Sequence, residues 1–194
     1  MLVVRDTRGA SLVEFAVSLP LLVVLVVGIF DFGGAFNLKQ ELSNAMREGA
    51  RFEAAQPTND LCSSCTAPPS VDAARYVIDA YLIAARINDC GLAGLSASQS
   101  SSGPPWVYTS SGTCTGSVIL TIARDPSQGS GTPTCSLPAS NYGSNGVNVY
   151  LLCANVSISY PYQWHFNNVI QLISPGTSLG LTNLQTAAAA VNME

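Results

Sequence analysis

The sequence predicts an α+β fold, in which a long N-terminal helix carries a small head made of a second helix and an antiparallel sheet. Three observations lead to this prediction. An uncharged apolar run covers residues 15–30. A stripe of apolar and small residues then continues at helical spacing to about residue 50. Short segments of alternating apolar residues, separated by turn-forming residues, follow in the second half of the chain.

Length and composition limit the class of protein. A chain of 194 residues has room for one domain and an anchor. Charged residues make up 10% of it, against about a quarter in soluble globular proteins. After Cys90 the formal charges are limited to Arg124, Asp125 and Glu194, in a stretch rich in Ser, Gly, Thr and Asn, which is typical of extracellular and wall-facing proteins. The net charge of -4 argues against nucleic acid as a partner.

The apolar run is predicted to be a membrane anchor. With its flanks, from Leu12 to Phe32, it has about 20 residues, enough to cross a hydrocarbon core of about 30 Å. Arg5 and Arg8 precede it, so the positive-inside rule places the N-terminus in the cytoplasm and the chain after Asp31 outside. An ordinary signal anchor and a cleaved signal peptide are the alternatives. Removal of a signal peptide by cleavage just after the apolar run is disfavoured, because the helical pattern continues beyond the run.

The helix is predicted to extend well past the membrane. We divide the chain into a leader at 1–9, a long helix at 10–56 and a disulfide-containing head outside the cytoplasm at 57–194. The helix spans the membrane to about residue 33, is amphipathic beyond it and stops before Pro57. Its stripe consists of Ala35, Leu38, Leu42, Ala45, Met46 and Gly49. Charged residues are assigned to its other faces: Lys39, Glu41, Arg47, Glu48, Arg51 and Glu53.

Two residues are unusual in the predicted membrane segment from Leu12 to Phe32. Pro20 removes one backbone hydrogen bond and is expected to kink or loosen the helix. Glu14 places a carboxylate in a membrane segment at a cost of roughly 2.5–3.5 kcal/mol, so such a residue usually has a partner or a function. If the chain is cut after Gly9, the new amine of Ala10 comes close to Glu14 on the same or a neighbouring helix. Otherwise Glu14 lies at the lipid headgroups, near a favourable helix N-terminus.

All six cysteines follow the apolar run: Cys62, Cys65, Cys90, Cys114, Cys135 and Cys153. An even number on one side of an anchor predicts structural disulfides formed in an oxidising compartment, with a pairing that the sequence leaves open. The cysteines at 62 and 65 have the spacing of a redox or metal-binding CxxC motif, which is the alternative. A zinc site is disfavoured because it needs several converging ligands, and His165 is the only histidine. No metal site is predicted.

The head is predicted to begin with a linker and a second helix at 71–89, capped by Ser70 and ended by Cys90 and Gly91. Its apolar face is expected to dock on the long helix. Strands are predicted at 106–109, 117–123, 147–160 and 179–191, with a long loop at 124–146. In the third of these strands the even-numbered residues are apolar throughout. Its odd-numbered residues become polar in the second half, which predicts burial on both faces at its start and on one face at its end.

Residues 161–173 are the most apolar part of the head outside the strands. They are predicted to belong to the core, and a subunit-contact patch is the alternative. Catalysis is not expected, because the chain has no nucleophile elbow, no phosphate-binding glycine loop and no HExxH motif, and acidic residues are scarce in the head. His165, alone in an aromatic stretch, is interpreted as a packing residue. No cofactor is expected.

Residues 8–51 closely resemble the N-terminal signature of TadE-like proteins of tight-adherence (Tad) pili, which are pseudopilins related to type IV pilins. The family pattern is a glycine before a cleavage site, a glutamate at the fifth mature position, an apolar run, an aspartate–aromatic–glycine step and an Ala-Arg-Glu-Gly-Ala-like segment. In this chain these features fall on Gly9, Glu14, 31–33 and 46–51. Residues 187–194 also resemble the end of family members, except that Asn192 precedes Met193. The resemblance does not cover the middle of the chain.

The resemblance implies a pilin-like subunit whose long helix becomes the core of a filament. It implies cleavage between Gly9 and Ala10 by a prepilin peptidase, and then extraction from the inner membrane by the pilus assembly machinery. Glu14 would pair with the Ala10 amine of an adjacent subunit and set the axial register. Its partners are then membrane lipid before assembly, and copies of itself or other pilins in a cell-surface filament afterwards. The alternative is a permanently membrane-anchored surface or pilus-secretion protein that does not polymerise.

Overall fold

The structure is a computed structural model, which describes residues 7–57, 59–61, 66–96, 104–124, 151–167, 171, 176 and 180–193. Its elements, in chain order, are α1 (Thr7–Ala54), α2 (Pro69–Ala84), β1 (Trp106–Ser110), β2 (Val118–Arg124), β3 (Leu151–Tyr162) and β4 (Thr182–Met193). Contacts divide the chain into two compact units, residues 1–37 with 164–180, and residues 38–163 with 181–194. The predicted α+β fold, with a long N-terminal helix, a small helix and an antiparallel sheet, is confirmed.

Helix α1 has 48 residues and runs unbroken through Pro20. It includes Gly9 and ends at Ala54, two residues before the predicted end at 56. In the second unit its stripe is buried as predicted, with Leu42, Ala45 and Met46 fully covered. The helical spacing of small and apolar residues was therefore sufficient to predict which face of this part of α1 enters the core.

Helix α2 differs from its prediction at both ends. Its N-cap residue is Pro68, and Ser70 lies in the first turn, where the Asp60 carboxylate accepts hydrogen bonds from its backbone N–H (2.8 Å) and its hydroxyl (3.0 Å). A carboxylate from outside the helix thus does the capping that we had assigned to Ser70. The helix also ends earlier, at Ala84 rather than at 89, because Arg86 adopts a left-handed conformation with φ 59.

The end of α2 has the hydrogen bonds of a Schellman motif. The N–H of Ile87 donates to the carbonyl of Leu82, and the N–H of Arg86 donates to the carbonyl of Ile83. These bonds satisfy carbonyls that the helix leaves without partners. The predicted stop at Cys90 and Gly91 is wrong because an arginine, rather than the expected glycine, takes the left-handed position.

The four strands form one antiparallel sheet in the order β1-β2-β3-β4. All four predicted strands are present, shifted by a few residues at their ends. Two corrections concern the third strand and the loop before it. β3 extends to Tyr162, into the stretch that we had separated from the strands, and Arg124 ends β2 instead of starting a loop. Residues 125–150, which include most of the predicted loop and the start of the predicted third strand, lie outside the described residues.

One face of the sheet packs on both helices to make the core of the second unit. In β3 the residues Ala154, Val156, Ile158 and Tyr160 are buried, and the polar residues between them are half-buried, as the alternation predicted for this half of the strand. The core also contains Leu42, Met46, Val71, Ala74, Ile78, Leu82, Trp106, Tyr108, Val118, Leu120 and Ile122. This arrangement confirms that α2 packs with the later part of α1.

Gly49 of α1 packs against Ile78 of α2. A Cβ atom on Gly49 would lie 2.6 Å from Cγ1 and 2.7 Å from Cδ1 of Ile78, well inside van der Waals contact. Only glycine allows the two helices this separation without a shift of the Ile78 side chain. Gly49 therefore has a packing role in the middle of a helix, where glycine is otherwise unfavourable.

Glu53 and Arg124 form a buried ion pair at the end of α1. We had assigned Glu53 to a charged surface face, which is wrong, since both side chains are inaccessible to solvent. Arg124 Nη1 lies 3.4 Å from Glu53 Oε1 and donates to the carbonyl of Pro57 at 3.1 Å, while Nη2 donates to the carbonyl of Gln56. These carbonyls lie just beyond the last turn of α1, where the helix itself supplies no donors. Arg124 thus ties the end of α1 to the end of β2.

Cys90 and Cys114 form a disulfide, and Cys153 is disulfide-bonded as well. The first bond joins the turn after α2 to the loop between β1 and β2. The Ser110 hydroxyl donates to the carbonyl of Cys90 at 2.5 Å, which also links the end of β1 to the turn after α2. Cys62, Cys65 and Cys135 lie outside the described residues.

Candidate membrane and assembly helix

The apolar part of α1 is largely exposed in the part of the chain that the structure describes. No residue from 11 to 30 is buried. Successive residues of a helix point about 100° apart, so exposure of consecutive positions means exposure on every side. The large exposed apolar side chains of this part are Leu12, Val13, Phe15, Val17, Leu19, Leu21, Leu22, Val23, Leu25, Val26, Ile29 and Phe30. A surface of this size is unstable in water and requires lipid or other apolar helices as its surroundings.

Length and composition support the same conclusion. Within the described parts of the chain, α1 is the one helix long and apolar enough to cross a membrane. Its polar groups are largely satisfied within the helix. The Ser18 hydroxyl donates to the carbonyl of Phe15 at 3.2 Å, so that it needs no water. Pro20 has no N–H and leaves the carbonyl of Ala16 without its usual helical donor.

Glu14 is the only formally charged residue between Gly9 and Asp31. Its side chain is exposed among apolar neighbours, and among the described residues it has no hydrogen-bond or ion-pair partner. A carboxylate in this position is available to a cation from outside the chain. Its assigned role in subunit register stays a prediction, as do the expected effect of Pro20 and the cleavage between Gly9 and Ala10.

Gly9 lies in the first turns of α1 and is exposed. A Cβ atom on it would have nothing within 4 Å, so packing within the chain does not require a glycine at this position. Gly9 itself is therefore open to contact by another protein.

Asp31 lies directly after the apolar run and is held by a turn at residues 164–166. Its side chain is 3% exposed. Asp31 Oδ2 accepts a hydrogen bond from the backbone N–H of Phe166 at 2.8 Å, and Oδ1 lies 3.2 Å from His165 Nδ1. The rings of Phe32 and Trp164 meet edge to face, with centroids 5.2 Å apart. We call these five residues the Asp31 cluster.

The Asp31 cluster changes two interpretations of the sequence. His165 is not a packing residue, because its side chain is 84% exposed. In the segment 161–173, which we had assigned to the core, Pro161 is buried, Trp164 and Phe166 are half-buried, and residues 168–170 and 172–173 lie outside the described residues. The sequence indicated one member of the cluster, because the carboxylate of Asp31 at the end of an apolar run needs hydrogen-bond donors. Nothing in the sequence identified residues 165 and 166 as those donors.

The described residues contain no group of three or more metal-ligating side chains.

In the second unit, Arg75 is buried and lies over the rings of Tyr76 and Tyr108, at 4.1 Å and 5.5 Å from their centroids. It pairs with Asp72 at 2.8 Å. Desolvation and the nearby Asp72 carboxylate raise the pKa of Tyr108 above its ordinary range. These contacts stabilise the positive charge of Arg75, which is one of the buried residues of α2.

Comparison with known proteins gives a similarity for the N-terminal part of the chain. Residues 9–51 match the family model described as TadE-like protein. No curated protein and no solved structure matches the chain. The matched stretch contains Gly9, Glu14, the Asp31–Phe32 step and Gly49, which are the residues that carried the resemblance in the sequence. The TadE-like family implies association with components of a Tad pilus, and the apolar helix fits anchoring in a membrane. The chain is therefore similar to the TadE-like family over residues 9–51, which lie within α1.

Proposed function

We propose that the protein is a TadE-like pilin or pseudopilin, a structural subunit of an extracellular Tad-like pilus filament assembled through α1. The observation that carries the proposal is the exposed apolar surface of residues 11–30, which no other part of the described chain covers. Lipid covers this surface before assembly, and the helices of neighbouring subunits cover it in the filament. The role is structural and requires neither catalysis nor a cofactor.

Glu14 supplies the specificity that apolar contacts lack. Apolar helices slide past one another at little cost, whereas a carboxylate in apolar surroundings gains most from one particular cation. Cleavage after Gly9 creates that cation as the free amine of Ala10. Residues 10 and 14 differ by about 6 Å along a helix axis. A neighbouring helix displaced axially by about that distance brings its amine level with Glu14 and fixes the stagger between subunits.

The same proposal gives the chain its orientation and its partners. Arg5 and Arg8 keep the leader in the cytoplasm, so the second unit, with its disulfides, is on the opposite side of the inner membrane. A prepilin peptidase removes residues 1–9, and the pilus assembly machinery of the inner membrane extracts the subunit. Copies of the chain or other pilins are its partners in the filament on the cell surface.

The cleavage is tested by N-terminal sequencing of the mature protein, which is expected to begin at Ala10. Filaments sheared from native cells and analysed by mass spectrometry and microscopy should contain the chain, as the bulk subunit or as a minor one. If the chain is found in membranes only, with no filament fraction, the permanently anchored alternative replaces this proposal.

The role of Glu14 is tested with Glu14→Ala. We expect normal membrane insertion, measured by resistance to carbonate extraction, and a strong loss of filaments. Ser18→Ala is the matched control, because it changes a polar residue on the same exposed helix whose hydroxyl is satisfied internally. Filament yield equal to that of wild type in Glu14→Ala would remove the register role.

A further inference from the structure

The Asp31 cluster lies at the end of the exposed apolar part of α1. Asp31 follows Phe30, the last residue of the exposed apolar surface, so the cluster lies where the helix passes from apolar to polar surroundings. The side chains of Phe30, Phe32 and Phe36 are all largely exposed. Residues 30–36 extend about 9 Å along the helix axis, enough to pass through the headgroup region of one leaflet, which is about 5–8 Å deep.

The chemistry of the cluster suits that region. Tryptophan is enriched at membrane–water interfaces because its large ring is apolar and its N–H is polar. Trp164 packs against Phe32, on the part of the helix that ends the apolar surface. The neighbouring His165 is mostly exposed and carries a polar ring. Apolar and polar rings at one level of a membrane helix are the composition expected of a segment at the lipid interface.

Asp31 keeps the turn at this level. Its buried carboxylate accepts the backbone N–H of Phe166, a contact that does not depend on the identity of that side chain. The contact with His165 Nδ1 holds the preceding residue. The backbone nitrogen of Phe166 and Nδ1 of His165 both lie 3.2 Å or less from the Asp31 carboxylate. The turn therefore cannot move along α1 without breaking these two contacts.

We infer that the turn at residues 164–166 is a second membrane contact, in which the Trp164 side chain lies in the lipid interface beside the anchor helix and Asp31 is the positioning residue. The inference rests on the part of the proposed function in which α1 spans a membrane. It adds an interfacial lipid contact far along the sequence from the anchor and assigns a role to the aspartate of the Asp31–Phe32 step.

The experiment uses full-length protein in phosphatidylcholine vesicles containing lipids brominated high on the acyl chains, which quench nearby indole rings. The chain has two tryptophans, and Trp106 is buried in the core. Fluorescence that the brominated lipids quench in wild type but not in Trp164→Phe therefore measures how close Trp164 lies to the lipid. We expect several-fold stronger quenching in wild type than in Trp164→Phe, and less quenching by lipids brominated near the chain ends. Equal quenching of wild type and Trp164→Phe would overturn the inference.

Asp31→Ala and Asp31→Asn test the positioning role. Asparagine keeps an oxygen acceptor for the Phe166 N–H and should retain most of the quenching, whereas alanine removes it and should lose most. If alanine leaves the quenching unchanged, Asp31 is not the positioning residue. Flotation of the same vesicles separates the two proposals. Protein that does not float with lipid contradicts the membrane-spanning role and the inference together. Protein that floats with unquenched Trp164 contradicts the inference alone.

Discussion

The buried pair at the end of α1 makes a prediction about the pH dependence of stability. Burial raises the pKa of Glu53 from its ordinary value of 4.5 to about 7, although the guanidinium of Arg124 favours the ionised form. Glu53 Oε2 has no hydrogen-bond partner within the described part of the chain, so the charge of the carboxylate is incompletely compensated. The perturbation we propose is Glu53→Gln, which keeps the size of the side chain and removes its titration.

The magnitude follows from the two pKa values. The difference between about 7 and 4.5 corresponds to about 3 kcal/mol in the free energy of unfolding. Because the folded state binds the proton more tightly, the contribution of Glu53 to stability is full below pH 4.5, decreases as the pH rises toward about 7, and is constant above it. Relative to wild type, Glu53→Gln should therefore gain up to about 3 kcal/mol as the pH rises through this range.

The assay is urea unfolding of the full-length protein in detergent at pH values on both sides of this range. Unfolding is followed by tryptophan fluorescence, to which the buried Trp106 contributes. Other titrating groups, such as Asp79, whose pKa is raised by burial and by the neighbouring Asp89, are present in both proteins and cancel in the comparison. Glu48→Gln is the matched control, since it removes an exposed carboxylate from the same helix. Parallel pH profiles for wild type and Glu53→Gln would refute the reasoning.

Two further predictions concern packing and the disulfide. Gly49→Ala should lower the free energy of unfolding by roughly 1–2 kcal/mol, because overpacking against Ile78 outweighs the better helix propensity of alanine. Gly33→Ala, where a Cβ has open space, should show no such loss in the same urea titration. Replacing both Cys90 and Cys114 by serine opens a loop with a sequence separation of 24 and should cost about 3 kcal/mol. An unchanged urea midpoint under non-reducing conditions would contradict that stabilising role.

Periodic features of this protein could be predicted from the sequence. The stripe from Leu38 to Gly49 repeats at helical spacing, and the even-numbered residues of β3 alternate, so each pattern identified its buried face. The resemblance around Gly9 and Glu14 likewise depended on residues close together in the chain. In such local patterns the period of the helix or strand determines which side chains share a face, so no distant residue has to be known.

The contacts that could not be predicted join residues far apart in sequence. Glu53 and Arg124 are 71 positions apart, and Asp31 and Phe166 are 135 positions apart. Each of these charged residues looks like a surface residue until its partner is known, because burial of a charge depends on the group that compensates it. The Ser70 prediction was wrong for the same reason, since Asp60 reaches the helix end across a linker that propensity does not describe.

The burial of Leu42, Met46 and Gly49 in the core has a practical consequence for preparing a shortened, secreted form of the protein. A chain that starts after α1, at Pro57, would lack these residues and leave α2 and the sheet with an open apolar surface facing water. A chain that starts at Leu38 keeps all the residues of α1 that belong to the second unit and omits the exposed apolar surface. The cut should therefore be made inside the helix rather than at its end.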